Sequence, residues 1–194
     1  MKTIILYYSH SGNTRAYANQ MAAEKGADIE EIVEIKKPIM PIGIQRAVTF
    51  KRTPIRPIKA NLDDYDRITI MSPVWAGHPV SAIYSAIDLL PEGKQVELIM
   101  VSAGGGSVSS AKKVVALVHG RKCDVAWHED VSVKVNKKTG EVNVEVIDTP
   151  SPFDDEDSPA KKPNIAPIVI IGLVVIGVCV YKSRKSKTSL VSTK

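Results

Sequence analysis

"TIILYYSHSGNTRAYANQMAAEK", residues 3–25, decides the fold. Residues 3–8 are a short apolar run of the kind buried on both faces of a sheet, so they read as a strand. Residues 14–25 are rich in Ala, Met, Gln and Glu, good helix formers, and Gly26 is placed to end the helix. Between strand and helix sits a loop with Ser9, Ser11 and Thr14 around a single Gly12. A helix N-terminus presents unpaired N–H groups and a partial positive charge, which suits an anion. The hydroxyls add donors, Asn13 adds an amide, and Gly12 lets the backbone approach closely. The loop has neither the Lys of a P-loop nor the GxGxxG of a dinucleotide fold, so a monoester phosphate without metal suits it best. On this fragment alone, a plain capping turn accounts for the residues equally well.

The same alternation continues outward. Residues 28–35 (DIEEIVEI) read as a second strand, and residues 67–72 (RITIMS) as a third, stopped by Pro73. Residues 80–90 fit an amphipathic helix, 95–102 (QVELIMVS) a fourth strand, 108–118 a helix, and Cys123–Trp127 a fifth strand. Alternating strands and helices imply an open, mostly parallel sheet with helices on both faces. Ligands of such sheets bind at the carboxyl ends of the strands, where the strand order reverses.

Two further loops fall at those ends. "SPVWAGHPV" (72–80) holds Trp75 among Pro73, Gly77 and Pro79. Trp75 there is either a ring that stacks on a planar ligand or a core side chain, and alone the core reading is the stronger. "SAGGGS" (102–107) exposes backbone and leaves room for a ligand edge, or is simply a flexible turn; Ser109 stands where a third glycine of GxGxxG would fall.

Together the three motifs resemble the flavodoxin-like family, specifically its short flavodoxin and NAD(P)H-dependent FMN reductase-type members, over about residues 1–128. The resemblance implies an α/β fold with a five-stranded parallel sheet in order 2-1-3-4-5, helices on both faces, and bound FMN. It implies that Ser9, Ser11, Gly12, Asn13 and Thr14 hold the FMN phosphate. Pro73, Val74, Trp75, Ala76 and Gly77 would border the isoalloxazine ring, and Ser102, Ala103, Gly104 and Gly105 would line its other edge. The implied activity is electron transfer through the flavin, either as a carrier to a redox partner protein or as a reductase using NAD(P)H and a quinone or free flavin. An anchored scaffold of this shape without FMN is the alternative from another class.

Two regions depart from the family pattern. Residues 131–147 alternate as two strands about a turn at Lys138–Gly140, where the family has its last helix. That leaves a sheet face to be covered otherwise, by a second copy in a homodimer or by a membrane. Residues 36–60 contain four prolines, seven basic residues and no acidic one, with a short helix expected near Gly43–Phe50. This segment is a solvated loop, a surface for anionic lipid, or a receiver for an acidic partner or the NADPH phosphate. No nucleic-acid module accompanies the charge.

The chain has 194 residues and a formal net charge of +5. Residues 1–150 hold 19 basic and 17 acidic residues, and residues 151–194 hold seven and four. The domain is therefore not strongly acidic, unlike electron-carrier flavodoxins. Residues 1–148 are expected as the FMN-binding domain and 149–163 as an acidic, Pro-rich linker. Residues 164–181 are expected as a transmembrane helix capped by Asn164, and 182–194 as a basic tail. The uncharged run Ile165–Tyr181 has 17 residues, about 25 Å as a helix, at the short end for a bilayer span. The basic tail favours a cytoplasmic C-terminus, whereas the lack of a signal-like start favours a single-pass C-terminal anchor with the domain in the cytoplasm. A single-pass C-terminal anchor with a cytoplasmic domain is therefore expected.

Other chemistry is poorly supported. His10, His78 and His128 are not at metal-ligand spacing. No GxSxG is present. Cys123 and Cys179 form no CxxC, which fits a reducing compartment.

Overall fold

A computed structural model describes residues 1–153. The expected linker beyond Phe153, the transmembrane helix 164–181 and the tail 182–194 lie outside the described residues. Strand β1 (Thr3–Tyr7) leads into helix α1 (Asn13–Lys25) and strand β2 (Asp28–Glu31). A long connection carries α2 (Met40–Val48) to β3 (Arg67–Trp75), which turns into the two-residue β4 (His78–Pro79). Then follow α3 (Ser81–Ile87), β5 (Gln95–Ser102), α4 (Val108–His119), β6 (Asp124–Val135) and β7 (Val142–Val146).

The sheet order is β2-β1-β3-β5-β6-β7, with β4 paired to β3. The first five strands are parallel, in the 2-1-3-4-5 order expected. The sheet has seven strands rather than five, because β7 adds antiparallel to β6 and β4 antiparallel to β3. The two layers of core follow from strand alternation. Ile4, Leu6, Ile68, Ile70 and Leu98 face α3 and α4, while Ile5, Tyr7, Met71 and Ile99 face α1. Leu6, Ile70 and Leu98 are fully buried, each worth about 1.5–3 kcal/mol relative to exposure.

Several boundaries differ from the sequence expectation, each for a physical reason. Strand three does not stop at Pro73. β1 makes its last pairing at Tyr7 with Met71, and Met71's carbonyl accepts from Tyr8. Pro73 lies two residues further on the same strand edge, where β1 has ended, so its missing N–H orphans no partner. Strand two covers only Asp28–Glu31, because residues 33–35 leave β1 and pair with 54–56 instead. Arg56 N–H donates to Val33 C=O (2.7 Å) and Ile35 N–H to Pro54 C=O (2.9 Å). The fifth strand and the first half of the hairpin are one strand, β6, running through His128–Asp130.

The missing last helix leaves no bare face. Val131 and Val133 of β6 join Ala18, Met21 and Ala22 of α1 in one cluster, with Val142 and Val144 packed on it. The chain also stays packed past Asp148: Thr149 Oγ1 donates to Asp130 (2.9 Å), and Phe153 lies against the core. Among the described residues, no helix is long and apolar enough to cross a membrane.

Candidate functional site

The strand order reverses between β1 and β3, which places the loops after β1, β3 and β5 side by side along one sheet edge. In the first loop, Gly12 adopts φ 101° and α1 begins at Asn13. Ser9 Oγ accepts the N–H groups of Gly12 (3.2 Å) and Arg15 (3.3 Å). Its own O–H proton is left to donate outward. The N–H groups of Asn13 and Thr14 meet no acceptor among the described residues. The Asn13 side chain ties the loop to β6, donating to Val133 C=O at 3.0 Å. Thr14 is buried and Ser11 is exposed.

A cavity of about 390 Å³ opens on this loop. Ser9, His10, Ser11, Gly12 and Arg15 form one wall, and Tyr8, Glu31–Glu34 and Lys37 the other. Its charges are largely spoken for. Arg15 pairs with Glu31 at 2.6 Å, and the buried Glu34 accepts from the Tyr8 hydroxyl at 2.9 Å. Burial, reinforced by Glu34, pushes the Tyr8 phenol well above its usual range, so it stays a proton donor. The Lys37 ammonium meets no carboxylate among the described residues. Arg15 and Lys37 were not singled out from the sequence. Arg15 follows Thr14 directly, but only the fold brings Lys37 opposite.

The second loop is the β3–β4 hairpin. Ala76 (φ 49°) and Gly77 (φ 77°) both adopt left-handed backbone, as the two central residues of a type I′ turn require. Trp75 is half-buried, its ring 5.3 Å from that of His10 and nearly perpendicular to it. On its other side it lies over Gly43 of α2, where a Cβ would come within 2.5 Å of Cζ3. Trp75 thus bridges the first loop and α2. Pro73 and Val74 are half-buried behind it. Gly77 C=O accepts the hydroxyls of Ser109 (3.1 Å) and Ser110 (2.8 Å), tying the hairpin to α4.

In the third loop, Ser102 Oγ accepts the N–H groups of Gly104 (3.1 Å) and Gly106 (3.2 Å). Ala103, Gly104 and Gly105 are exposed, and a Cβ added to either glycine would touch nothing within 4 Å. Gly106 is closed in by Asp130 and Thr149. Beneath it, Ser107 Oγ lies 3.1 Å from His128 Nε2. Burial holds the His128 imidazole below its usual pKa, against an opposing pull from Asp130. Asp130 is buried, with one carboxylate oxygen lacking a partner among the described residues. His128 and Asp130 support the glycine loop, and sequence spacing gave no sign of that role.

The fourteen expected residues therefore fall at the C-terminal ends of β3 and β5, at the start of α1 and in the loops between, side by side along one sheet edge. Contacts link them from His10 to Trp75 and from Gly77 to α4, although the 390 Å³ cavity is lined by the first loop without Trp75 or the glycines. The arrangement offers anion donors at a helix terminus, an aromatic ring and an open backbone edge. Among the described residues, no cluster of His, Cys, Asp or Glu could hold a metal.

The sequence matches no known family model and no curated protein. Solved structures do match. A flavoprotein from Lactobacillus acidophilus NCFM in complex with FMN is 24% identical, with TM-score 0.57, over 66% of this chain and 92% of that one. The apo-form of the flavoprotein from the same organism is 26% identical, with TM-score 0.52, over 66% and 90%. A putative flavoprotein from Bacteroides eggerthii DSM 20697 is 20% identical, with TM-score 0.57, over 66% and 87%. This likeness and the strand order together define a flavodoxin-like fold.

Proposed function

We propose that this chain binds FMN and transfers electrons through it. The observation that carries the reading is the pair of open amide donors, Asn13 and Thr14, at the N-terminus of α1. They stand at the switch point of the sheet, with Ser9 and Ser11 hydroxyls beside them. A terminal phosphate suits these donors, and charge-assisted bonds of this kind contribute about 1.5–3 kcal/mol each. The fit extends to the other two loops. Open space above Gly104 and Gly105 admits a flat edge to backbone groups, and Trp75 supplies an aromatic border. The likeness to flavoproteins, one of them in complex with FMN, supports the same reading.

FMN, when bound, supplies one- or two-electron chemistry. The chain's own residues bind and orient it. α1 and the serine hydroxyls hold the phosphate, and the hairpin and glycine loop fix the ring's borders. The chain is further proposed to be held at a membrane by residues 164–181, with the domain in the cytoplasm. It passes electrons to a partner protein or, as a second mode, from NAD(P)H to a quinone or flavin. The near balance of charge over residues 1–150 favours the second mode over docking on a strongly basic reductase.

The test is the visible spectrum of the purified full chain. Flavin absorbance, extracted as FMN, is expected. A colourless protein that also refuses added FMN leaves only the scaffold reading. Turnover of NADH or NADPH with a quinone, without another protein, separates reductase from carrier.

A further inference from the structure

From the connection after β2 into the first turn of α2 the chain holds large apolar side chains in solvent. Ile35 is 59% exposed, Ile39 68%, Met40 41% and Ile42 43%, all within eight residues. Lys36 and Lys37 are exposed among them and meet no carboxylate among the described residues. Single exposed apolar residues are ordinary, but four within eight residues of chain are a candidate contact segment.

This stretch is held firmly at both ends. Before it, Ile35 N–H and Val33 C=O bond to the 54–56 segment. After it, Gly43 lies under Trp75, and the Tyr84 hydroxyl donates to Ala47 C=O at 3.0 Å. The exposed side chains are therefore presented by a fixed backbone.

We propose that this face, Ile35 to Ile42, rests on the surface of an anionic lipid bilayer. Aliphatic tips interleaved with lysines match the acyl–headgroup boundary, where apolar burial and attraction to anionic headgroups act together. The composition fits a protein partner poorly. Protein interfaces are enriched in aromatic residues, Arg and Met and depleted in Lys, and of the enriched types the stretch holds only Met40, beside two lysines. No acidic residue occurs in residues 36–60, and the neighbouring Glu31 and Glu34 are engaged by Arg15 and the Tyr8 hydroxyl.

The proposal rests on the membrane-tether part of the proposed function, not on the flavin. The uncharged run begins at Ile165, twelve residues after Phe153. That length spans at most about 40 Å even fully extended, so a membrane-inserted run keeps the domain near the surface. Lys37 belongs to both the exposed stretch and the wall of the 390 Å³ cavity. Docking on this face brings that wall to the headgroup layer.

The experiment is hydrogen exchange on the full chain mixed with phosphatidylglycerol or phosphatidylcholine vesicles, after flotation. Amides of residues 35–42 are expected to slow several-fold on phosphatidylglycerol relative to phosphatidylcholine, with the 136–141 turn unchanged. High salt and the double variant Lys36→Glu/Lys37→Glu should each abolish the difference, and Ile39→Asp/Ile42→Asp should weaken it. A chain that floats without this protection overturns the docking face and spares the tether. A chain that floats with neither vesicle overturns both. Protection that arises only on adding an acidic protein assigns the face to that protein and overturns the lipid proposal.

Discussion

The loops after β1 and β5 use the same device for different ends. In each, one serine oxygen gathers two backbone N–H groups: Ser9 those of Gly12 and Arg15, Ser102 those of Gly104 and Gly106. After Ser9, the next amides at the start of α1 remain open. At the start of α4 the Val108 and Ser109 amides likewise meet no acceptor among the described residues, while Ser107 C=O accepts from both Ser110 and Ala111 (2.9 Å each). The difference lies in what stands beside the open amides: the Ser9 and Ser11 hydroxyls in the first loop, exposed backbone at Gly104 and Gly105 in the other. Two serine-braced loops on one sheet edge can thus hold the two chemically different ends of one ligand.

The largest effect should come from charge at the first loop. Ser11→Asp puts a carboxylate against the phosphate position, and FMN affinity should fall about hundredfold. Riboflavin, which lacks the phosphate, should bind the variant as it binds the parent. Titration of flavin fluorescence reads both, and equal losses would break the distinction between the loops.

Glu97 sharpens the comparison from the far end of the strands. It accepts from Thr69 Oγ1 (2.8 Å) and pairs with Lys25 (3.2 Å) and Arg67 (3.0 Å) under α1. Glu97→Ala should cost about 2 kcal/mol in urea unfolding, discounted because both cations reach solvent. The preference for FMN over riboflavin in the folded protein should not change.

Ser102→Ala releases the Gly104 and Gly106 amides while leaving α1 untouched. FMN and riboflavin should both weaken, by about fivefold and to the same extent. A loss confined to FMN would mean that the glycine loop holds phosphate.

The smallest effect concerns pH. His128 has a folded-state pKa below its ordinary 6.5 because of burial. The folded protein then binds fewer protons than the unfolded one in the window just below pH 6.5, so stability falls as pH drops through it. His128→Gln should flatten that part of the profile, as followed by thermal melts across the window.

The β1–α1 unit was legible because every signal in it is local: an apolar run, a capped loop, a helix-forming stretch and Gly26. The open parallel sheet followed from the alternation of elements, and its strand order from the resemblance to the flavodoxin-like family. What stayed hidden depends on distant partners. Pro73 is tolerated inside β3 only because β1 ends first. His128, Glu129 and Asp130 interrupt the apolar pattern, so β6 looked like two strands. His128 and Asp130 are polar because they sit under the glycine loop, and Glu129 is half-buried near Tyr17, whose phenol it helps raise to about 12 after burial. The roles of Gly43 under Trp75 and of Lys37 opposite Ser11 require α2 to fold back on the sheet edge, which no local pattern specifies.

The central claim is that the open N-terminus of α1 holds the phosphate of a flavin mononucleotide. Titrating the flavin-free full chain with FMN and with riboflavin tests it most directly. FMN should bind at least about a hundredfold more tightly, as expected for two or more charge-assisted bonds to the phosphate. Equal affinity for the two flavins, or binding of neither, would contradict it.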